Sequence, residues 1–278
     1  MHMLKSIACG ARIFKTLGNG APFPPCRRSE RYAFDSHGYY EKLRNGSELK
    51  TSLLNVNLFL THFRPELEAG RDIIYVGLSS GVSGTVQSAI IASNQLAAEF
   101  PDRTIRVVDS LGAALGPGLL SCRAAELKAE GKTASEAADI LDMEVTKLLQ
   151  FFTVADLNFL KRTGRVSGPT AAIGTVLNIK PLLWGDPTGH IVAYSKCRGR
   201  QKAIDAIVEQ YRNKAVDAQN QRIGITHGDC LEEAEYLAKR VREICEPKEL
   251  IIVPHEPFTG AHVGPGMLAL YFFGEKRE

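Results

Sequence analysis

Two rhythms alternate along the chain. Short apolar runs rich in β-branched residues are followed by stretches whose apolar positions return every three or four residues, the marks of strands and amphipathic helices. The sharpest change of rhythm is Ile73-Ile74-Tyr75-Val76-Gly77-Leu78-Ser79-Ser80-Gly81-Val82-Ser83-Gly84-Thr85. An apolar run empties there into a small, hydroxyl-rich loop, and Val86-Gln87-Ser88-Ala89-Ile90-Ile91-Ala92 continues as a helix. Backbone N–H groups are free at such a helix start and the helix dipole favours negative charge, so loop 79–85 is a place for an anion.

The same reading predicts the other elements of the first half. Residues 36–45 form a short helix with Ser36 as its cap, ended by the Asn45-Gly46 turn. After Thr51-Ser52 a second helical stretch puts Leu54, Leu58 and Phe59 on one face and stops near Pro65. A strand over 73–78, a helix over about 85–99 and a strand over 104–108 follow. Gly116-Pro117-Gly118 turns into a helix reaching Gly131, and Thr133-Ala134-Ser135-Glu136 has capping-box spacing for a helix to about Leu149. Strands separated by helices imply right-handed crossovers and an α/β sheet. Ligands of such sheets bind outside the carboxyl ends of the strands, where loop 79–85 and Asp109-Ser110 fall.

The second half is expected to form another α/β unit with a mixed sheet. Phe151-Phe152-Thr153-Val154 reads as a strand, residues 156–161 as a short helix closed by Gly164, and Pro169 as the start of a helix through about Leu177. Pro181-Leu182-Leu183-Trp184, the turn Asp186-Pro187-Thr188-Gly189 and Ile191-Val192-Ala193-Tyr194 make a hairpin pattern. A helix over 200–212, a strand over 222–226, a helix capped by Asp229 with Glu232, a strand over 250–253 and a loop over 260–266 complete it, before a final apolar element over 267–273. The start differs. Ala21-Pro22-Phe23-Pro24-Pro25 excludes a helix interior or a central strand, so residues 1–34 are expected to be an irregular segment. The expected division is 1–34, an α/β domain over 35–150 and a second over 151–278.

Composition narrows the function. A net charge of +3 over 278 residues, without clustered Lys and Arg, gives no nucleic-acid surface. No apolar run reaches the roughly 18–20 residues that span a bilayer. The start is too short and too polar for a signal-peptide core. Six scattered cysteines with no C-x-x-C fit reduced thiols in a cytoplasm and offer no metal site.

For loop 79–85 a bland role is available, since Ser83 or Thr85 serves as a helix cap. The loop lacks the Lys of a P-loop and the second Gly of a G-x-S-x-G elbow. Gly116-Pro117-Gly118 is too incomplete for a dinucleotide fingerprint. Arg162, Arg165, Arg198 and Arg200 sit in Gly-rich connections; they read either as solvated charge or as ligands of a phosphate or carboxylate. His262 lies among three glycines and a proline, which implies a shaped backbone. His227, at a strand end, is the weaker candidate. No His, Cys, Asp and Glu set has metal-ligand spacing. Local chemistry leaves phosphate and carboxylate equally open.

Taken together, Leu78-Ser79-Ser80-Gly81-Val82-Ser83-Gly84-Thr85, Val108-Asp109-Ser110, residues 157–167 from Leu157 to Ser167, Leu177-Asn178-Ile179-Lys180-Pro181, Lys196-Cys197-Arg198-Gly199 and His262-Val263-Gly264-Pro265-Gly266 make the chain resemble the DegV family of bacterial lipid-binding proteins, over roughly 36–278. The resemblance implies two α/β domains with a long-chain fatty acid between them. It implies that Thr51 and Ser83 hydrogen-bond the carboxylate, that His262 lies beside it and that Arg165 and Arg198 border the mouth. It further implies a non-catalytic protein without cofactor, which presents the fatty acid to a separate ATP-dependent kinase for acyl-phosphate formation in phospholipid synthesis, with at most transient membrane contact. Residues 1–34 depart from the family pattern, which opens on an apolar strand running into Thr-Asp-Ser, and the first sheet is expected to lack that strand. Two alternatives from other classes are an enzyme acting on a phosphorylated small molecule through the Ser83 loop and the arginines, and a hydrolase with Ser83 as nucleophile and His262 as base, for which no orienting carboxylate is evident.

Overall fold

The computed structural model describes residues 5–7 and 11–13 as backbone, and 34–166 and 178–277 in full. Two sheets carry the chain. The first has the order β1-β2-β3-β4, with β1 Lys5–Ile7, β2 Ala11–Ile13, β3 Ile73–Gly77 and β4 Ile105–Asp109. The second has the order β7-β6-β5-β10-β8-β9, with β5 Leu148–Thr153, β6 Ile179–Gly185, β7 Ile191–Arg198, β8 Arg222–His227, β9 Glu249–Pro254 and β10 Leu268–Phe273. Its β8–β9 pair is parallel and its other pairs are antiparallel, so it is the mixed sheet expected.

The helices are α1 Ser36–Arg44, α2 Val56–Glu68, α3 Thr85–Glu99, α4 Leu115–Ala129, α5 Ala134–Glu144, α6 Asn158–Thr163, α7 Arg200–Lys214, α8 Leu231–Arg242 and α9 Pro257–Val263. Side-chain alternation sorts them into layers. On β3, Ile73 and Tyr75 pack with Phe59 and Phe63 of α2 and Ala89 and Ala92 of α3. Ile74 and Val76 face the other way, onto Leu119 and Leu120 of α4 and Leu141 of α5. That same cluster continues to Phe152 of β5, Leu183 of β6 and Ala269 and Tyr271 of β10. The opposite face of the second sheet, with Phe151, Leu268, Leu270 and Phe272, is covered by α7 and α8. Both faces of β5 and β10 are therefore buried, which explains why these strands read as unbroken apolar runs rather than alternating ones.

Most of the predicted elements are present, and the differences have local causes. Asp35, not Ser36, caps α1 by accepting from the Gly38 N–H. Helix α2 runs through Pro65, which sits inside it. The proline forfeits one backbone bond, but the buried Phe59, Phe63 and Leu67 hold the helix to β3 on both sides of it. The capping box at Thr133 and Glu136 forms, yet its helix ends at Glu144 and β5 already begins at Leu148. Asp229 does not cap α8. It has φ +58 and binds Arg44 and His37 of α1 instead. Residues 260–263 of the expected loop are helical, the end of a helix that starts at Pro257 and is capped by Glu256.

The start is not wholly irregular. β1 and β2 form an antiparallel hairpin, and β2 pairs antiparallel with β3, Arg12 opposite Val76 and Ile13 opposite Tyr75. The position beside β3 is filled by this hairpin, and over Lys5–Ile7 and Ala11–Ile13 the expectation of an irregular start is corrected. A bare edge of β3 is a row of unpaired N–H and C=O groups that any short extended segment can satisfy. Lys5-Ser6-Ile7 does not alternate and Ala11-Arg12-Ile13 alternates over only three residues, too few to register as a period. The proline-rich stretch at 21–25 and the helix expected from Pro169 lie outside the described residues.

Candidate functional site

The carboxyl ends of β3 and β4 meet the β6–β7 turn. Ser79 N–H donates to the Gly112 carbonyl (2.8 Å), and the Ser79 hydroxyl donates to the Gly189 carbonyl (2.8 Å). Ser80 N–H and Leu111 N–H both donate to the Asp109 carboxylate. A Cβ on Gly81 would come within 2.6 Å of the Gly189 backbone, so only glycine allows the two loops to touch. Leu111 and Ala114 hold positive φ values of +47 and +49, strain that the surrounding contacts must sustain.

Behind these loops is a cavity between the two sheets. Among the described residues, Val82, Leu111, Phe152, Leu160, Ile191, Val263, Met267 and Ala269 supply most of its wall, and Gln150, Arg165, His255, Thr259, His262 and Tyr271 are its polar groups. The space open to the centres of water-sized spheres is about 60 Å³, several times what one water needs. Register orders the wall. Phe152 lies opposite Ala269, and Gln150 lies opposite Tyr271, so the cavity face of β5 and β10 has two levels. The Phe152 level leads on to α6 and α9, where Arg165 and His262 stand.

His262, on the last turn of α9, is bonded through Nε2 to the Thr51 hydroxyl at 2.8 Å. Its Nδ1 is buried and has no hydrogen-bond partner among the described residues. Burial, helped by the nearby Arg165 guanidinium, pushes the imidazole down to about 4, so the ring is neutral at pH 7. In the tautomer in which the Thr51 hydroxyl donates to Nε2, the ring proton is on Nδ1, at the unpaired position. Arg165 is placed by the end of α6. Gly164 takes φ +67, its N–H and that of Arg165 return to Lys161 and Leu160, and the guanidinium donates to the Thr163 carbonyl.

The Ser83 loop stands next to the Thr51 loop. Leu54 N–H donates to the Thr85 hydroxyl at 3.4 Å, and a Cβ on Gly84 would meet the Leu53 side chain at 3.4 Å. The Ser83 hydroxyl pairs with that of Thr85 (3.0 Å) and accepts from the Thr85 N–H (3.3 Å). The N-cap position of α3 is Gly84, so no side chain caps the helix, in contrast to the bland reading of Ser83 or Thr85. Val82 reaches the cavity wall; Ser83 and Thr51 are beside it, not in its lining.

The four flagged arginines separate. Arg162 pairs with Glu48 and stacks on Phe159, and Arg200 pairs with Glu233. Arg165 lines the cavity. Arg198 is exposed at the end of β7, opposite Ile179, and is not in the cavity wall. His227 accepts from the Cys230 N–H and is not in the wall either.

Sequence reasoning missed a second polar group at the cavity. The two nitrogens of His255 are engaged by the Thr226 hydroxyl (2.9 Å, Nδ1) and the Thr259 hydroxyl (2.6 Å, Nε2). Thr226 also meets the Tyr271 hydroxyl (3.2 Å), and Thr259 meets the Glu256 carboxylate. Burial drives His255 down to about 3 and raises Glu256. The available signal was Glu256-Pro257, a cap followed by an N1 proline, which announces a helix with a histidine at its doorstep.

The model of the DegV family matches residues 28–275. A DegV domain-containing protein of Clostridium perfringens is 38% identical over 240 residues, covering 86% of this chain and 82% of its own length. Among solved structures, a DegV family protein from Thermus thermophilus, described for its fatty acid binding, superposes with a TM-score of 0.77 at 31% identity over 86% of this chain and 84% of its own. The fatty acid kinase B3 protein of Streptococcus pneumoniae, loaded with linoleic acid, shares the fold with a TM-score of 0.76 at 23% identity, over 87% and 84% of the two chains.

Proposed function

Because the chain belongs to the DegV family, we propose that it binds one long-chain fatty acid in the cavity between its two α/β domains and presents the carboxylate to an ATP-dependent kinase. The observation that carries this reading is the shape of the cavity: an apolar interior ending in a neutral histidine with an unpaired buried nitrogen, next to an arginine. The Nδ1–H of His262 and the Arg165 guanidinium supply donors for the carboxylate, and charge-assisted bonds of this kind contribute about 1.5–3 kcal/mol each. The hydroxyls of Thr51 and Ser83 and the uncapped start of α3 add further donors when the loop pairs Ser83–Thr85 and Thr51–His262 open toward the ligand. Each methylene removed from water adds roughly 0.8 kcal/mol, so an enclosed apolar wall is what gives useful affinity.

In this reading the protein is a non-catalytic carrier in the cytoplasm. It supplies position and charge, while the partner supplies the nucleotide chemistry. Arg198, exposed on β7, and Arg165 are assigned to the kinase-facing side. The carrier half is tested by native mass spectrometry of the purified protein after incubation with mixed fatty acids. A one-to-one adduct is expected, and its absence would defeat the reading. The kinase half is tested by adding ATP and the ATP-binding subunit of a bacterial fatty acid kinase. Acyl-phosphate above the kinase-alone control is expected, and none would remove the partner from the proposal.

A further inference from the structure

The end of the cavity away from His262 has an unusual construction. Gln150 projects from β5 into the wall, only 6% exposed, although the strand positions around it are apolar. Its Oε1 accepts from the Ala113 N–H at 2.8 Å, and its Nε2 reaches the Leu111 carbonyl at 3.5 Å. Three glycines make the slot in which the carboxamide lies. A Cβ on Gly112 would come within 2.6 Å of Nε2, one on Gly116 within 3.1 Å of Oε1, and one on Gly185 within 3.7 Å of Nε2.

Arg277 closes the same corner from behind. It is 3% exposed. Its guanidinium donates to the carbonyls of Leu148, Leu111 (2.8 Å) and Asp186 (3.3 Å), tying together the start of β5, the loop after β4 and the β6–β7 turn. The Leu111 carbonyl is shared by Arg277 and Gln150. A buried amide and a buried guanidinium are costly unless every group is satisfied, and here the polar partners are backbone atoms of a loop already held at positive φ. The corner is thus rigid, filled and polar, whereas the wall leading to it is apolar.

We propose that the Gln150 carboxamide, held by the 111–113 loop and backed by Arg277, is the end wall that stops the acyl chain and sets the chain length this protein accepts. This rests on the fatty-acid reading above. A terminal methyl group meets the amide plane at the Gln150–Tyr271 level, and one further methylene has no space without breaking the Gln150–Ala113 bond. Arg277 acts through Gln150 as a positioning residue.

The test offers the protein an equimolar series of saturated fatty acids and reads the length distribution retained, by mass spectrometry. Truncation in Gln150→Ala removes Cγ, Cδ and the amide, room for about two methylenes. Each methylene brought out of water strengthens binding about fourfold, so the retained distribution shifts about two carbons longer. Gln150→Asn shifts it by about one, and serves as the reading variant if circular dichroism shows that Gln150→Ala is unfolded. Gln150→Met conserves volume but gives up the bonds to Ala113 and Leu111, so its distribution stays centred on the wild-type length and broadens. Arg277→Met broadens the distribution without lowering total occupancy. An unshifted distribution in a folded Gln150→Ala or Gln150→Asn variant overturns the proposal, as does an equal shift in Gln150→Met. A wild-type protein that retains no fatty acid overturns instead the reading beneath it.

Discussion

His255 and His262 stand at the two ends of α9, and both line the cavity. Burial lowers both imidazoles, to about 3 and about 4, and both are neutral at pH 7. They differ in what their nitrogens meet. Each nitrogen of His255 has a hydroxyl partner from a separate element, Thr226 on β8 and Thr259 on α9. His262 has Thr51 on one side and an unpaired buried Nδ1 on the other. A satisfied network rigidifies a wall; an orphaned polar group costs stability unless a ligand takes it. Burial and a shifted titration therefore mark both residues equally, and only the hydrogen-bond count separates the structural histidine from the ligand-facing one.

The comparison breaks most directly by exchanging the two residues' losses. His255→Leu takes one partner from each of the Thr226 and Thr259 hydroxyls, which keep Tyr271 and Glu256, and breaks the network between them; it is expected to lower stability by about 2–4 kcal/mol, read from the urea midpoint at constant slope. Thr226→Val removes one arm of that network and is expected to cost about 1–3 kcal/mol in the same assay. A loss from His255→Leu no greater than that from His262→Leu would erase the distinction.

The pH dependence sharpens it. Unfolded histidines titrate near 6.5, and these two take up protons in the folded protein only near 3 and 4. Unfolding therefore takes up protons below about 6.5. The stability that comes from the neutral rings is complete above that value and is lost as pH falls, by up to about 1.4 kcal/mol per unit for each histidine. His262→Gln is expected to reduce the slope between pH 5 and 6.5 by its one-proton share. Bound fatty acid should raise the titration of His262, since a carboxylate beside it favours the charged ring, and leave that of His255 in place; histidine ring NMR in both states checks this. Equal movement of the two resonances would contradict the assignment.

The smallest effects are expected from single truncations at His262 and in the Ser83 loop. His262→Ala is expected to change stability by less than about 1 kcal/mol, since it removes an unsatisfied group with the ring, and to impair phosphorylation more than fatty-acid retention. Ser83→Ala is expected to weaken retention about two- to tenfold, the value of one hydrogen bond. Unchanged ligand content and unchanged phosphorylation in both variants would remove the two residues from the site.

Local signals made much of this legible in the sequence. The Thr133–Glu136 capping box, Gly164 at the end of α6 and the Asp186–Gly189 turn each need only neighbouring residues, and each is where the pattern puts it. The glycines around His262 divide: Gly264 and Gly266 take φ +74 and +72, the conformational freedom the pattern implies, whereas Gly260 is needed for close approach, since a Cβ there would sit 2.7 Å from the Tyr40 hydroxyl. Asp229 has the spacing of a cap, but Arg44 and His37 claim it from nearly two hundred residues away. The Thr226–His255–Thr259 network was unreadable for the same reason: its members have no common period and meet only when β8, β9 and α9 are assembled.

Helix α1 is where that remoteness has a consequence in time. It comes early in the chain, yet it packs onto the later half: Tyr40 is fully buried and donates to the His255 carbonyl across 215 residues, Tyr39 to the Pro257 carbonyl, and Arg44 to Asp229. At roughly 5–20 residues per second of synthesis, the helix leaves the ribosome about 10–40 s before its docking surface exists. Nine residues do not hold a helix alone in water. During translation Tyr39 and Tyr40 are thus unshielded aromatic side chains on a tether, and the N-terminal half cannot be finished until the C-terminal half has folded beneath it.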